Sequence, residues 1–325
     1  MSSTVPPPVT SVLEAASTWL PQGMTAVEGR LGELTAAHGA ALAADAGATL
    51  SAGGKRLRPL LVLLCAGPGG GERAVRAATA VELVHMATLV HDDVLDGAPL
   101  RRGRPTVAAS SGRERAVATG DLLFSRAFAE LSAHGGKGQV ELLSSASVSL
   151  ALGELAQRRD AFDASISRDR YLERCVLKTA RLFECACLLG RAGSGSSTET
   201  ELATFGREVG LAFQLLDDVL DVTGPPERTG KARGTDLLDG TVTLPLIIAR
   251  EVDPALGEVE LRDLDEAGTA EVCDRIAATG ALERVRALAL ERVEAAKQAI
   301  AGTALSAEER RLLGLVADGV VERYA

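Results

Sequence analysis

The stretch VELVHMATLVHDDVLDGAPLRRGRPT, residues 81–106, joins an apolar helical pattern to three aspartates, Asp92, Asp93 and Asp96. Gly97 and Pro99 then end the helix, and a cluster of arginines follows at once. Residues four apart on a helix differ by about 40° in direction, so Asp92 and Asp96 share a face. The negative end of the helix dipole disfavours carboxylates there unless a cation neutralises them. The stretch therefore predicts a long helix whose C-terminal end binds cations.

The same arrangement recurs in LLDDVLDVTG, residues 215–224, where the aspartates are Asp217, Asp218 and Asp221. Two such helix ends, far apart in the chain, can face each other across a cavity. Six carboxylates around a partly dry cavity repel each other unless cations neutralise them. Oxygen ligands without a Cys or His cluster favour Mg²⁺, which commonly binds a few carboxylates together with substrate phosphates.

Composition restricts the class of protein. The chain has 325 residues, of which 46% are hydrophobic but only 3% aromatic, so the core must consist mainly of Ala, Leu and Val. The net charge of −9 argues against a general nucleic-acid binder. Apolar residues recur at helical spacing, and the alternation typical of strands is nearly absent. We predict a disordered head over residues 1–10, then one all-α domain over residues 11–325, a bundle of roughly ten helices or more with its site in the core.

Helix boundaries follow from the apolar spacing and from Gly and Pro. The predicted features are two helices in residues 11–52 broken near Pro21 and Gly23, long helices at 73–96, 168–189 and 199–221, a polar loop at 224–239, and three last helices joined near Gly268, Gly280 and Gly302.

The five cysteines lie in apolar helical contexts and form no C-x-x-C pair, which predicts buried free thiols in a reducing compartment. The N-terminus has no basic segment followed by an apolar one, as a signal peptide would have. No run approaches the ~18 apolar residues that a membrane span needs. We expect a cytoplasmic protein without a transmembrane segment.

Taken together, six segments resemble the trans-polyprenyl diphosphate synthases, the head-to-tail enzymes that elongate isoprenyl chains. The segments, in family order over about residues 50–250, are GGKRLRP (53–59), HDDVLDGAPLRRGRPT (91–106), GDLLFSRA (120–127), KTARLF (178–183), FGREVGLAFQLLDDVLDVTG (205–224) and GTDLLDGTVTLPL (234–246). The resemblance implies an isoprenoid synthase bundle around a central cavity, a homodimer, and condensation of an allylic diphosphate with isopentenyl diphosphate by ionisation, condensation and elimination.

The resemblance also implies roles for single residues. Asp92 and Asp96 would bind two Mg²⁺ ions and Asp217 a third, which gives about three per site. The remaining aspartates, Asp93, Asp218 and Asp221, would support these ligands. The implied substrate-binding residues are Arg101 and Lys178 for the allylic diphosphate, with Lys231 and Gln214 nearby; Lys55, Arg58, His85 and Arg102 for isopentenyl diphosphate; and Thr179 and Phe213 around the reacting ends.

Two departures bear on affinity and on product length. Thr241 stands where many family members carry a lysine, which removes one possible diphosphate contact. Short-chain members tend to carry an aromatic residue four or five positions before the first aspartates, where this chain has Thr88 and Ala87. Five residues span about 7.5 Å of helix, so small residues there favour an open cavity and a long product of about C30–C40.

Other interpretations of the same residues remain. A class I terpene cyclase shares the fold and the first aspartate motif, but usually lacks a second such motif and has aromatic walls. A subunit of a heteromeric prenyl synthase is the other alternative. Taken without the family, His85 is a satisfied core histidine, and residues 101–104 are a solvated turn that complements the helix end. Glu154 and Gln157 match positions where the family often has Glu and Gln, and they fit a solvated face equally well.

Overall fold

A computed structural model describes residues 7–16, 18–134, 136–192, 198–224 and 233–322. The first half of this part consists of α1 (Pro7–Ala15), α2 (Trp19–Ala36), α3 (Ala40–Ser51), α4 (Leu57–Ala66), α5 (Gly71–Leu95), strands β1 (Leu100–Arg101) and β2 (Arg104–Pro105), α6 (Val107–Ser111), α7 (Arg113–His134) and α8 (Lys137–Arg159). The second half consists of α9 (Arg168–Cys175), a π-helical turn (Val176–Ala180), α10 (Arg181–Arg191), α11 (Glu199–Thr223), α12 (Thr235–Leu238), α13 (Leu244–Val252), 3₁₀ turns at Pro254–Leu256 and Leu261–Asp263, α14 (Glu266–Ala278), α15 (Ala281–Ala301) and α16 (Ala307–Glu322).

The predicted all-α fold is confirmed, and α10 packs against helices of both halves. Helix α5 packs against α7, α4 and α10, whereas α11 packs against α10 and α15. Both aspartate helices are therefore anchored on α10. The buried core is mostly Leu, Val and Ala, as the low aromatic content predicts. Such small side chains let helices approach closely, and burying them is the main source of stability.

The N-terminal region differs from its prediction. Three helices, not two, occupy the region up to Ser51, and the first begins at Pro7, within the segment predicted as a disordered head. Residues 1–6 of that segment lie outside the described part. Pro21 and Gly23 lie inside α2, where Pro21 is the third residue; a first-turn proline costs no helical hydrogen bond. The chain instead breaks before α3, at Gly39, whose φ is +79°.

The other boundaries agree better with their predictions. Both long aspartate helices are confirmed, within two residues at each end. The predicted helix at 168–189 is interrupted by the π-helical turn, which the apolar spacing does not reveal. Three helices are the last elements of the described residues, as predicted, but Gly268 lies in the first turn of α14, where its N–H donates to the capping carboxylate of Asp265. The polar loop contains the short helix α12, and Lys231 lies outside the described residues.

All five cysteines are buried and free, as predicted. Within the described ranges, we find no helix with the length and apolar character needed to cross a membrane.

Candidate active site

The first aspartate motif ends α5 beside a small β-hairpin. Arg102 and Gly103 form the two-residue turn between β1 and β2, and both have positive φ (+53° and +73°), as a type I′ turn requires. The hairpin returns Arg101 to the helix end, where its Nε donates to Oδ1 of the buried Asp93 at 2.7 Å. Arg101 therefore neutralises one carboxylate of the motif at the helix end, whereas residues 102–105 of the hairpin are exposed.

A cavity of about 350 Å³ opens between the hairpin, α5 and the start of α4. Its lining includes Lys55, Arg56, Arg58, His85, Asp93, Arg101, Arg102 and Phe213. The Lys55 ammonium lies 4.5 Å from the ring centre of Phe213, and the Arg58 guanidinium lies 4.4 Å from that of Phe183. These cation–π contacts place the two cations beside the cavity. The cavity therefore has a strongly positive wall suited to an anion.

Glu82, on α5, is a buried carboxylate beneath this positive wall. Its Oε1 accepts a hydrogen bond of 2.7 Å from Arg56, which also donates to the more exposed Glu28 at 2.5 Å. Arg56 is the residue just before α4, and its φ of +50° is uncommon for a residue with a side chain. The ion pair therefore stabilises a strained backbone at the point where Lys55 and Arg58 enter the cavity.

Desolvation and charge set the protonation of this wall. Burial lowers the pKa of Arg58 to about 10, partly opposed by Glu82, so the guanidinium stays charged at neutral pH. Its Nε is buried and has no hydrogen-bond partner in the described part of the protein. Burial, together with the charges of Arg58 and Arg102, holds the pKa of His85 well below its usual range. His85 is thus neutral, and it lies half-buried among the cations that line the cavity.

A second cluster lies where the C-terminal end of α8 meets the first aspartates. Glu154 accepts from Lys178 of the π-helical turn and, at 2.7 Å, from Nε of Arg158. Arg158 also donates to Asp96. Burial raises the pKa of Asp92 to about 6, with Lys178 opposing this shift and Glu154 adding to it. Glu154 is therefore part of the cluster and does not lie on a solvated face.

The π-helical turn and Gly153 on the facing helix together position Lys178. A π-turn inserts one residue into a helix and often occurs at functional sites. Gly153 of α8 packs against this turn, and a Cβ at that position would lie only 2.6 Å from the backbone nitrogen of Lys178. A side chain at position 153 would therefore push the turn away from α8 and move the Lys178 ammonium.

The second aspartate helix carries a buried polar network. Asp218 accepts from the Tyr171 hydroxyl and, at 2.8 Å, from Gln214, whose carbonyl in turn accepts from Thr179 at 2.7 Å. Burial is the larger cause, and the negative charge of Asp236 the next, of a rise in the pKa of Asp218 to about 8. Asp217 is exposed, and the Asp221 carboxylate accepts from the Asp236 N–H at 3.2 Å. Asp218 is thus buried in a hydrogen-bonded network, whereas Asp217 faces solvent.

The predicted site residues fall into these groups. One group lines the cavity, one surrounds Glu154, and one surrounds Asp218. The charge of Asp217 also acts on Arg102, so the hairpin lies within electrostatic reach of both aspartate helices. Ala87 is fully buried and Thr88 half-buried, its hydroxyl bonded to the His85 carbonyl; neither lines the cavity. Thr241 is half-buried, and its N–H donates to the Asp236 carbonyl at 2.7 Å.

The carboxylate oxygens suit a hard divalent cation. In the part of the chain that the structure describes, no three acidic, His or Cys side chains converge as a ready cage. Instead, Asp93 and Asp96 are engaged by Arg101 and Arg158. Mg²⁺ seldom occupies an all-protein cage and usually shares its coordination sphere with water and substrate phosphates. Burial is the main cause of the raised pKa of Asp92, and a bound cation would favour the charged form of this carboxylate.

Several residues of the site were not found from the sequence. Glu82 is the carboxylate one helical turn before His85, and a charged residue in so apolar a run was a usable signal. Arg158 lies four residues after Glu154, the spacing of a helical ion pair. Tyr171 has no such signal, because its partner Asp218 lies far away in the sequence.

The fold and these clusters define an all-α enzyme with two aspartate helix ends and a positive cavity, and comparison with known proteins agrees. The family model described as polyprenyl synthetase matches residues 40–274. The heptaprenyl diphosphate synthase component 2 of Geobacillus stearothermophilus is 39% identical over 308 residues, 93% of this chain and 96% of that one. The octaprenyl diphosphate synthase of Escherichia coli is 36% identical over 260 residues, 77% of this chain and 80% of that one.

A crystal structure of a polyprenyl synthase from Caulobacter crescentus, complexed with calcium and isoprenyl diphosphate, superposes with a TM-score of 0.91 at 34% identity, covering 98% of each chain. The chain belongs to the polyprenyl synthetase family. It is accordingly a prenyltransferase of the polyprenyl diphosphate synthase class, and the predicted resemblance is confirmed.

Proposed function

We propose that this enzyme condenses an allylic diphosphate, farnesyl or geranylgeranyl, with isopentenyl diphosphate to give a long trans-polyprenyl diphosphate. The observation that carries the proposal is the positive cavity beside the first aspartate helix end, within electrostatic reach of the second. Two clusters of cations, one in the cavity and one around Glu154, suit a reaction that joins two diphosphates.

In this proposal the cavity binds isopentenyl diphosphate. Within the described residues, the buried Nε of Arg58 has no hydrogen-bond partner, and Arg102 lies at the tip of the hairpin turn. Lys55 adds a third positive charge, and neutral His85 donates a hydrogen bond to a phosphate oxygen. Arginine presents a planar fork to phosphate oxygens, so the two guanidiniums orient the diphosphate while lysine contributes charge. Phe213, under Lys55, packs beside the reacting carbon chain.

The allylic diphosphate binds at the aspartate ends. Lys178 and Arg101 lie beside the first aspartates and would donate to its oxygens. Asp92, Asp96 and Asp217 would hold about three Mg²⁺ ions, with Asp93, Asp218 and Asp221 in support. When bound, these ions neutralise the leaving diphosphate. The cations of the chain stabilise the same developing charge, which is preorganised electrostatic catalysis. Thr179, Gln214 and, on the loop outside the described residues, Lys231 complete the proposed contacts.

The remaining steps depend on position. Once the C–O bond to the diphosphate breaks, the allylic cation is attacked by the C=C bond of isopentenyl diphosphate, which the cavity holds in reach. Loss of a proton from the adduct to the departed diphosphate restores a double bond. This route needs no protein base, in agreement with the low pKa of His85, which leaves it a weak one.

Incubation with farnesyl diphosphate, isopentenyl diphosphate and Mg²⁺ tests the reaction and the product length together. We expect products of about C30–C40, because Ala87 and Thr88 add little bulk along the ~7.5 Å of helix below the first aspartates. Mass spectrometry of the products decides. Products no longer than C20 contradict the open cavity, and hydrocarbon released without isopentenyl diphosphate indicates a cyclase.

Replacing Ala87 by Phe is expected to shorten the product, because the larger side chain fills space on the helix that the growing chain follows. Ala87 is fully buried, so overpacking of about 1–3 kcal/mol is also expected, and thermal unfolding must accompany the product profile. A matched change, Thr88→Phe, tests the neighbouring position. A folded A87F enzyme with an unchanged product distribution would show that bulk at position 87 does not limit product length.

We also propose that the chain forms a homodimer through α8. Val148, Leu152 and Leu155 lie on one face of α8, and each is between 52% and 66% exposed, which is unusual for large apolar side chains in a group. Leu152→Glu should convert dimer to monomer in light scattering, because dimerisation would bury the new charge. Leu290→Glu, at a similarly exposed leucine on α15, is the control and should leave the mass unchanged.

The exposed apolar face of α8 could instead contact a different subunit of a heteromeric enzyme. One relative is named as a component of its synthase. Light scattering and activity of the purified chain alone separate the two cases. A monomer without activity contradicts the homodimer proposal and supports the need for a second subunit.

A further inference from the structure

The function proposed above assigns Arg158 no contact with a substrate or a metal ion, yet Arg158 binds one of the first aspartates. It lies in the last turn of α8, four residues after Glu154, and its Nε donates to Glu154 at 2.7 Å. The other end of its guanidinium donates to Asp96. One side chain thus connects α8 to the end of α5, and it is only partly exposed.

At the end of α8, the Arg158 guanidinium can exchange one hydrogen-bond partner for another. The last turn of a helix favours cations, and a guanidinium stays charged whichever carboxylate it binds. Lys178 shares the Glu154 carboxylate, so two cations meet on one acceptor beside Asp92 and Asp96. An arginine fork binds carboxylate or phosphate equally well in geometry. Moving its outer nitrogen from Asp96 to a phosphate keeps the bond to Glu154 intact.

We propose that Arg158 is an internal counter-ion that occupies Asp96 in the substrate-free enzyme and competes with the divalent cation for this carboxylate. A diphosphate arriving at the aspartate ends draws the guanidinium away and frees Asp96. Cation binding thereby becomes coupled to diphosphate binding, and by linkage each strengthens the other. This inference rests on the proposed function, in which Asp96 is a metal ligand.

The test is Mn²⁺ binding to the whole protein without any diphosphate, measured by the EPR signal of the free ion. The variant R158Q removes the competing charge and is expected to bind Mn²⁺ about two- to fivefold more tightly, within the range for a partly exposed ion pair. The control is R159Q, at a neighbouring arginine that is largely exposed and lies 3.9 Å from Asp160. It removes the same net charge and should bind Mn²⁺ as the wild type does.

A second series separates this inference from the proposed function. Saturating inorganic pyrophosphate should tighten Mn²⁺ binding more in the wild type than in R158Q, because the variant has lost the competitor that pyrophosphate displaces. The variant D96N should weaken Mn²⁺ binding. If D96N binds Mn²⁺ as the wild type does, both the ligand assignment and the role of Arg158 are overturned. If D96N weakens binding while R158Q leaves it unchanged or weaker, the inference alone is overturned.

Discussion

An Asp92→Asn enzyme is expected to lose about three orders of magnitude in kcat for condensation, the scale found when one preorganised charge stabiliser is removed from a reacting centre. The variant should fold normally. Burial raises the pKa of Asp92 to about 6, so the charged form lowers the stability of the metal-free protein at pH 7. Asparagine removes that unfavourable charge and keeps the shape. Steady-state kinetics and thermal unfolding, measured together, therefore separate a chemical defect from a folding defect.

The matched control is Asp121→Asn. Asp121 is an exposed carboxylate on α7, 3.5 Å from the ring of His91, the residue just before Asp92. It adds negative charge to the same region without facing the cation clusters, so its loss should change kcat by less than about twofold. Equal losses in D92N and D121N would mean that general charge, and not the Asp92 carboxylate, controls the reaction.

The second large effect is expected at Glu82. Changing Glu82 to Gln leaves the Arg56 guanidinium without its buried partner, and breaking a buried ion pair destabilises the fold by about 3 kcal/mol. The backbone before α4 would relax, and Lys55 and Arg58 would shift with it. We expect KM for isopentenyl diphosphate to rise about tenfold, the equivalent of one charge-assisted hydrogen bond. KM for the allylic substrate should stay unchanged, because Glu82 lies away from the cluster around Glu154.

The control at the same arginine is Glu28→Gln. Glu28 binds Arg56 from the solvent side, and nearly half of its side chain is exposed, so the loss should stay below about 1 kcal/mol. Chemical denaturation compares the two variants directly. A Glu82→Gln protein that is as stable as Glu28→Gln would show that the buried pair does not stabilise the cavity. A rise in both KM values would indicate a general loss of structure.

The features that were predictable from the sequence are those with local causes. Apolar spacing, Gly and Pro located both aspartate helices, and the helix dipole explained why carboxylates at their ends need cations. The hairpin after α5 was not predicted, although Arg102-Gly103 suits its turn. Pro21 suggested a break because a proline in the first turn of a helix looks the same in sequence as one that ends it.

Side-chain partners could not be predicted in this way. Glu154 binds Lys178 only because α8 and the π-helical turn pack together, and no spacing within α8 reveals that neighbour. Tyr171 reaches Asp218 across the bundle for the same reason. The family resemblance supplied the names of the site residues, but their division into a cavity wall, an aspartate cluster and a buried network came from the fold.

The absence of a side chain at Gly153 has an evolutionary consequence. The cation at Lys178 is positioned by main chain packed against α8, whereas the residues proposed to limit product length, Ala87 and Thr88, lie on α5. Selection for a shorter or longer product can therefore act on one helix while the placement of the cation is inherited unchanged on another. A substitution at position 153, in contrast, would displace the Lys178 cation and lower activity whatever product length the enzyme makes.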